Sequence, residues 1–308
     1  MNPKSQPGVG GHHKLINKDY HEKDFLYNRD ILNKLARHRN LKTSILENNP
    51  VLLYKWRFVF LKMKIYAPEF DEELFNKIIE FGRSKDVPSL ELITNHEFPV
   101  NELSEYKAKK FFDATYIIDL RKDVEEILSS CKGGRRRDIK KALSSDITVS
   151  SEVNEEIFNQ WWDLYIETVE RGDFVPEKKE YIWDLLISQC GHLYTAWGNR
   201  ELLAGIIIIA NNYPFYWLGC SSKKYPSYNA SSLLHWRVIE DYKERGYEMY
   251  DLGGASLDRL HGPTRFKASF GGQFIKTVHY QIIFRPIIYQ VLNWLRYINY
   301  RILKKSTF

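Results

Sequence analysis

Residues 204–210 read AGIIIIA, the longest aliphatic run in the chain. It falls far short of the ~20 residues that cross a bilayer, and its four consecutive isoleucines favour an extended backbone. Turn residues bracket it: Gly198, Asn199 and Arg200 before, and Asn211, Asn212, Tyr213 and Pro214 after. The pattern predicts a buried strand at the centre of a three-strand meander over 192–198, 202–210 and 213–220. A strand of this kind has to sit in a sheet whose faces are covered.

The same grammar runs along the rest of the chain. Short apolar runs at 52–54 and 57–60 read as strand. A helix opens at Asp71, shows Leu74, Phe75, Ile78, Ile79 and Phe81 on one face, and is expected to end at Gly82. Strands follow at 89–94 and 115–120, then a helix with Val124, Ile127 and Leu128 and a basic run over 132–141. Farther on, the pattern gives a strand at 147–150, helices at 155–169, 178–190 and 230–245, strands at 248–252 and 274–283, and a last helix at 287–304. Antiparallel strands mixed with helices, without strict βαβ alternation, make this an α+β chain. Its 308 residues exceed the size at which single cores stop growing, about 250–300 residues, so two domains are expected. A chain 44% hydrophobic and 15% aromatic is not disordered. Three scattered cysteines without a C-x-x-C pair argue against a disulfide scaffold or zinc ribbon and suit a reducing cytosol. Residues 1–20 read as a lead-in. Residues 1–11 lack the apolar stretch of a signal peptide, and His12 and His13 have no further metal-ligand type close by. Neither G-x-G-x-x-G nor a P-loop is present, and no metal site is expected.

The segment from 225 to 280 is the most informative. Tyr250-Asp251-Leu252-Gly253-Gly254 ends a strand in two glycines, which allow close backbone approach or positive φ. Phe266-Lys267 and then Phe270-Gly271-Gly272 follow. This order and spacing, N-A-S-S-L-L-H-W at 229–236, G-Y-x-x-Y-D-L-G-G at 246–254 and F-K-x-x-F-G-G at 266–272, resembles the Fem family of peptidoglycan bridge-forming transferases, relatives of the GNAT acyltransferases. Thr168 and Arg171 repeat the family's T-x-x-R, and the likeness extends over about 110–308.

The resemblance implies two GNAT-like domains with mixed or antiparallel sheets flanked by helices. The first spans 21–145 and is completed by a C-terminal helix, 284–308, that returns to it; the second spans 146–283. It also implies transfer of an aminoacyl group from tRNA to an amine of a cell-envelope precursor, with Phe266 and Lys267 at the reaction centre. Tyr225, Tyr228, Asp251, Gly253, Gly254, Arg171 and Tyr181 are the implied substrate-binding residues. The chemistry agrees with that role for the lysine. Acyl transfer to an amine passes through a tetrahedral oxyanion, which a desolvated ammonium or close backbone N–H groups, at Gly253, Gly254 and Gly271, can stabilise. Asp251 and Asp258 are near enough in sequence to be weighed as base, without an assignment. The chain departs from the family at Glu177, where several members carry an arginine four residues before the tyrosine corresponding to Tyr181; Lys178 and Lys179 adjoin it. It also lacks the helical arm of some members and the R/Q-x-x-G-x-G/A loop of CoA-using enzymes.

No tightly bound cofactor is expected. The donor is read as aminoacyl-tRNA, with acyl-CoA or another thioester acting on an envelope sugar or peptide as the alternative. A non-catalytic tRNA- or membrane-surface binder of the same fold is a third reading. The formal charge of +6 is concentrated: residues 132–141 and 282–308 carry +5 each, leaving −4 for the rest. Arg135, Arg136, Arg137, Lys140 and Lys141 form a candidate phosphate patch for tRNA. Residues 286–305 form a basic amphipathic helix suited to docking on the first domain, to an anionic membrane, or to both. The protein is expected in the cytoplasm, with peripheral contact to the inner membrane face. The transferred amino acid, the acceptor amine and the oligomeric state stay open.

Overall fold

Helices and strands follow each other in an order set by local sequence periodicity. The computed structural model describes residues 24–306 except 40, 57–58, 70, 96, 98–102, 104–105, 173 and 259–260. The expected lead-in at 1–20, with His12 and His13, lies outside them. In chain order the elements are α1 (Arg29–Arg39), β1 (Leu41–Leu46), β2 (Asn49–Trp56), β3 (Val59–Tyr66), α2 (Glu72–Ser84), β4 (Ser89–Thr94) and β5 (Lys107–Asp119). Next come α3 (Val124–Ser130), α4 (Gly133–Leu143), β6 (Thr148–Ser150), α5 (Glu155–Gly172), α6 (Lys179–Ile187), β7 (Gly191–Gly198), β8 (Glu201–Ala210) and β9 (Pro214–Ser221). The chain closes with α7 (Ala230–Glu244), β10 (Met249–Asp251), α8 (Gly262–Ala268), β11 (Gln273–Ile283) and α9 (Pro286–Ser306). The α+β class and the meander β7–β8–β9 follow the sequence pattern. Gly82 does not end its helix, which continues to Ser84. It stands there because an added Cβ would lie 3.0 Å from the Phe284 ring, so its small size admits a neighbour.

The chain divides into two compact units: residues up to 34 with 114–276, and 35–113 with 277–308. The boundary expected at 145 falls inside the larger unit. There β5 pairs with β10, and Ile139 of α4 packs with Leu234 and Val238 of α7.

In the larger unit the strand order is β5-β10-β9-β8-β7-β6. The aliphatic run explains the layering. Successive side chains of a strand point to opposite faces, and both faces of β8 are covered. Ile206 and Ile208 pack with Ile127, Ile139, Leu234 and Trp236, whereas Ile207 packs with Phe158, Trp161, Tyr165 and Ile182. Gly205 is required by this second layer, since a Cβ there would meet the Trp161 ring at 2.3 Å.

In the smaller unit the order is β1-β2-β3-β4-β11. Strands β3 and β4 run parallel, joined through α2. Asp71 caps that helix by accepting a hydrogen bond from the Leu74 N–H at 2.8 Å, satisfying one of the donors left over at a helix start. Met63, Ile65, Leu90, Leu92, Tyr280 and Ile282 form the core with Phe75, Ile78 and Ile79 of α2. The alternate residues of the same strands carry a polar cluster. Glu91 Oε2 accepts from Lys62 Nζ at 2.6 Å and Oε1 lies 3.0 Å from Lys64 Nζ. His279 Nδ1 is 3.2 Å from Glu91 Oε1, and its Nε2 is 3.4 Å from Asp113 Oδ2. The C-terminal helix belongs to this unit. The Phe284 and Arg285 N–H groups donate to the Pro88 carbonyl, at 3.0 and 3.1 Å.

Candidate active site

The first half of the site comes from the end of β10. Asp251 is fully buried, and burying a carboxylate requires partners. Its Oδ1 accepts hydrogen bonds from the Thr115 hydroxyl of β5 and, at 2.7 Å, from the Gly253 N–H. Thr115 Oγ1 also lies 2.9 Å from the Gly253 carbonyl. The carboxylate thus folds the chain back on itself just past the strand. Gly253 has φ +71°, and a Cβ there would stand 2.4 Å from the Tyr216 carbonyl oxygen. Glycine is needed for both reasons, backbone conformation and close approach. Gly254 faces open space.

The second half comes from α8, a short helix that periodicity did not reveal and that carries Phe266 and Lys267. Lys267 Nζ donates to the Gly254 carbonyl at 2.7 Å and sits 5.3 Å from the centroid of the Tyr216 ring. Burial lowers its pKa to about 8, against the opposing pull of Asp251. An ammonium has three N–H donors. Among the described residues one is engaged by Gly254, so the others are available to an incoming oxygen.

Beneath Lys267 lies an aromatic platform. The Tyr216 ring meets His235 edge-on at 4.6 Å. His235 contacts Phe266 at 5.5 Å and Phe270 at 5.3 Å, and its Nδ1 is 2.7 Å from the Tyr250 hydroxyl. Burial, then the nearby charges of Lys267 and Arg135, lower the His235 pKa to about 3, so the imidazole is neutral at physiological pH. Arg135 closes the stack from α4. Its guanidinium lies 4.2 Å from the Phe266 centroid and 4.8 Å from that of Phe270. It donates to Ser269 Oγ at 2.8 Å and to Ser232 Oγ. Planar guanidinium stacking of this kind combines cation–π attraction with directed hydrogen bonds.

The structure therefore brings together Phe266, Lys267, Asp251, Gly253 and Gly254, and adds Tyr216, His235, Thr115 and Arg135. The sequence motif contained His235, but only its burial between two phenylalanines shows what it touches. Tyr216 lies outside the quoted motifs and carries no signal of its own. Gly271 has a positive φ of 78°, an added Cβ there would stand only 2.2 Å from the Ser130 carbonyl oxygen, and its N–H donates to the Ala268 carbonyl at 3.4 Å.

The other expected residues make contacts of their own in the same unit. Arg171 Nη2 donates to Thr168 Oγ1 at 3.0 Å and to the Ser221 carbonyl at 2.9 Å, which gives the T-x-x-R spacing a structural use tying α5 to the end of β9. Tyr181 is buried, its ring edge-on to Trp217 at 5.6 Å. Tyr225 and Tyr228 are half-buried and lie edge-to-face at 5.8 Å. Tyr228 Oη accepts from Asn199 Nδ2 at 2.9 Å, and Tyr225 Oη reaches Glu201 at 3.5 Å. In the basic run, Arg137, Lys140 and Lys141 are exposed. Arg136 is half-buried and donates to the Ser129 carbonyl at 3.0 Å. Arg135 is turned inward, so the run is not a uniform patch. No cluster of three metal-ligating side chains occurs among the described residues.

Comparison with known proteins places this geometry in a fold. Residues 129–268 match the model of the acetyltransferase (GNAT) domain family. No curated protein sequence matches the chain closely. Among solved structures, FemX superposes with a TM-score of 0.70 at 15% identity, over 91% of this chain and 97% of FemX. L-PGS from Bacillus licheniformis superposes with a TM-score of 0.58 at 13% identity, over 87% of this chain and 96% of L-PGS. The C-terminal domain of an Agrobacterium fabrum protein named as a lysylphosphatidylglycerol synthetase gives a TM-score of 0.61 at 14% identity, covering 88% and 95% of the two chains. The likeness to FemX thus holds at the level of the fold, and within it residues 129–268 are similar to the GNAT domain family.

Proposed function

We propose that the chain is an acyltransferase that moves an aminoacyl group from tRNA to an amine of a cell-envelope precursor. The observation that carries this reading is Lys267: a partly desolvated ammonium over an aromatic ring, anchored to the Gly254 carbonyl, in the segment similar to the GNAT domain family. The acceptor nitrogen adds to the carbonyl carbon of the aminoacyl ester, and the carbonyl oxygen becomes an oxyanion. A Lys267 N–H addresses that oxygen, or a phosphate oxygen of donor or acceptor. Collapse breaks the ester C–O bond, and the proton lost by the amine ends on the departing ribose oxygen. Asp251 is engaged with Thr115 and Gly253 and holds the Gly253–Gly254 turn under the ammonium. The exposed Arg137, Lys140 and Lys141 suit the phosphate backbone of the donor.

A thioester donor is the second reading, favoured by the description of the matched family as an acetyltransferase. A transfer assay with labelled acyl groups separates the two. Label is expected in the amine product from charged tRNA and not from acyl-CoA. Label arriving only from the thioester would replace the first donor with the second, and transfer from neither would remove the enzymatic reading.

A further inference from the structure

Helix α9 ends the smaller unit and, among its described side chains, has one face half-buried and one face exposed. Its half-buried residues include Tyr289, Leu292 and Asn293. Its exposed residues include Ile287, Ile288, Val291, Trp294 and Leu295, with Ile287 78% and Trp294 62% accessible. The spacing 287, 288, 291, 294, 295 places all five on one stripe of a 3.6-residue helix. Contiguous large apolar side chains at such exposure mark a surface that meets another apolar phase.

The charge pattern selects the occupant. Residues 282–308 contain Arg285, Arg296, Arg301, Lys304 and Lys305 and no acid. Arg285 pairs with Asp86; the other four basic residues all belong to α9. A second copy of this chain would set two such cationic segments against each other, whereas an anionic bilayer offers both an apolar layer and opposite charge. A tryptophan in the stripe suits the level of the lipid headgroups. Among the described residues no helix is long and apolar enough to cross a membrane, so the contact would be lateral. We propose that α9 is a membrane-surface anchor, lying in the headgroup region of an anionic bilayer with Ile287, Val291 and Trp294 inserted.

Flotation of the full chain with vesicles tests this. The protein is expected to float with phosphatidylcholine vesicles that contain phosphatidylglycerol, and to bind roughly tenfold or more weakly to phosphatidylcholine alone. The double variant Val291→Glu, Leu295→Glu is expected to lose flotation while keeping its far-ultraviolet circular dichroism. Lys304→Glu with Lys305→Glu is expected to lose the preference for anionic vesicles. Brominated phosphatidylglycerol is expected to quench tryptophan fluorescence in the unaltered chain, and less so in Trp294→Phe; this readout does not depend on how the glutamate variants fold. Absence of flotation, equal binding to both vesicles, or quenching unchanged in Trp294→Phe would each overturn the anchor. So would a dimer in sedimentation equilibrium that Val291→Glu converts to monomer, because the stripe would then belong to a second copy.

Discussion

Lys267→Ala is expected to reduce transfer by roughly 10²–10³-fold, the usual effect of removing one donor from a developing oxyanion. The fold should survive, since the side chain is half-buried and among the described residues its hydrogen bond goes to the Gly254 carbonyl. Equal far-ultraviolet spectra and melting temperatures would confirm that, and undiminished turnover would remove Lys267 from the reaction. The pH profile gives a sharper reading. Burial disfavours the ammonium, so its proton leaves near pH 8 instead of the usual 10.5. A cation that stabilises negative charge works only while protonated, so kcat/KM of the free enzyme is expected to fall as pH rises through about 8. A rising limb at lower pH comes from the acceptor amine losing its own proton. A lysine acting as base would give the opposite sign, a rise through the same region that Lys267→Ala abolishes.

The second large effect is one of stability. Glu91→Ala is expected to cost about 3–5 kcal/mol in urea or thermal unfolding, because it removes a buried carboxylate that two half-buried lysines and a buried histidine are arranged around. The cations are Lys62 and Lys64, with side chains 22% and 13% accessible, and the nearly inaccessible His279 loses a hydrogen-bond partner as well. Burial pushes the Glu91 carboxyl up, but the His279 hydrogen bond and the two lysine charges outweigh it and hold it well below the ordinary carboxylate range. The sign follows directly. The folded state holds the proton less tightly than the unfolded chain, so this contribution is complete above the ordinary value of 4.5 and is lost as pH falls below it. Replacing Glu91, Lys62 and Lys64 together by apolar residues of similar volume is expected to recover much of the loss. A well-packed apolar set often equals or exceeds a buried ionic one. A Glu91→Ala variant as stable as the parent at neutral pH would show that solvent, not Glu91, balances those charges.

What the sequence revealed and what it hid follow from the range of the forces involved. The AGIIIIA strand, its turns and the long helices announced themselves because local periodicity is enough to place them. The double-glycine strand end and the Phe-Lys pair were legible as a motif, yet their meeting depends on residues remote in sequence. Thr115 binds a carboxylate 136 positions away, and Arg135 reaches Ser269 over 134. Helix α8 escaped notice because seven residues, opening on Gly262 and Pro263, show no repeating face. Gly82 and Gly271 have a related local reason: at each a neighbour arrives from elsewhere in the sequence, Phe284 in one case and Ser130 in the other.

The inward turn of Arg135 alters what the basic helix α4 can do for a polyanion. Of the six cations between 132 and 141, this one is committed to two rings and two hydroxyls. Lys132, Arg137, Lys140 and Lys141 are the four left exposed. Each phosphate neutralised adds about −0.7 to −0.9 to the slope of log affinity against log salt. Four contacts therefore give a slope of roughly −3, a grip that loosens quickly as ionic strength rises. On the tRNA reading, the donor would be held by a short-lived, counterion-driven contact, and a spent tRNA could be exchanged for a charged one between turnovers.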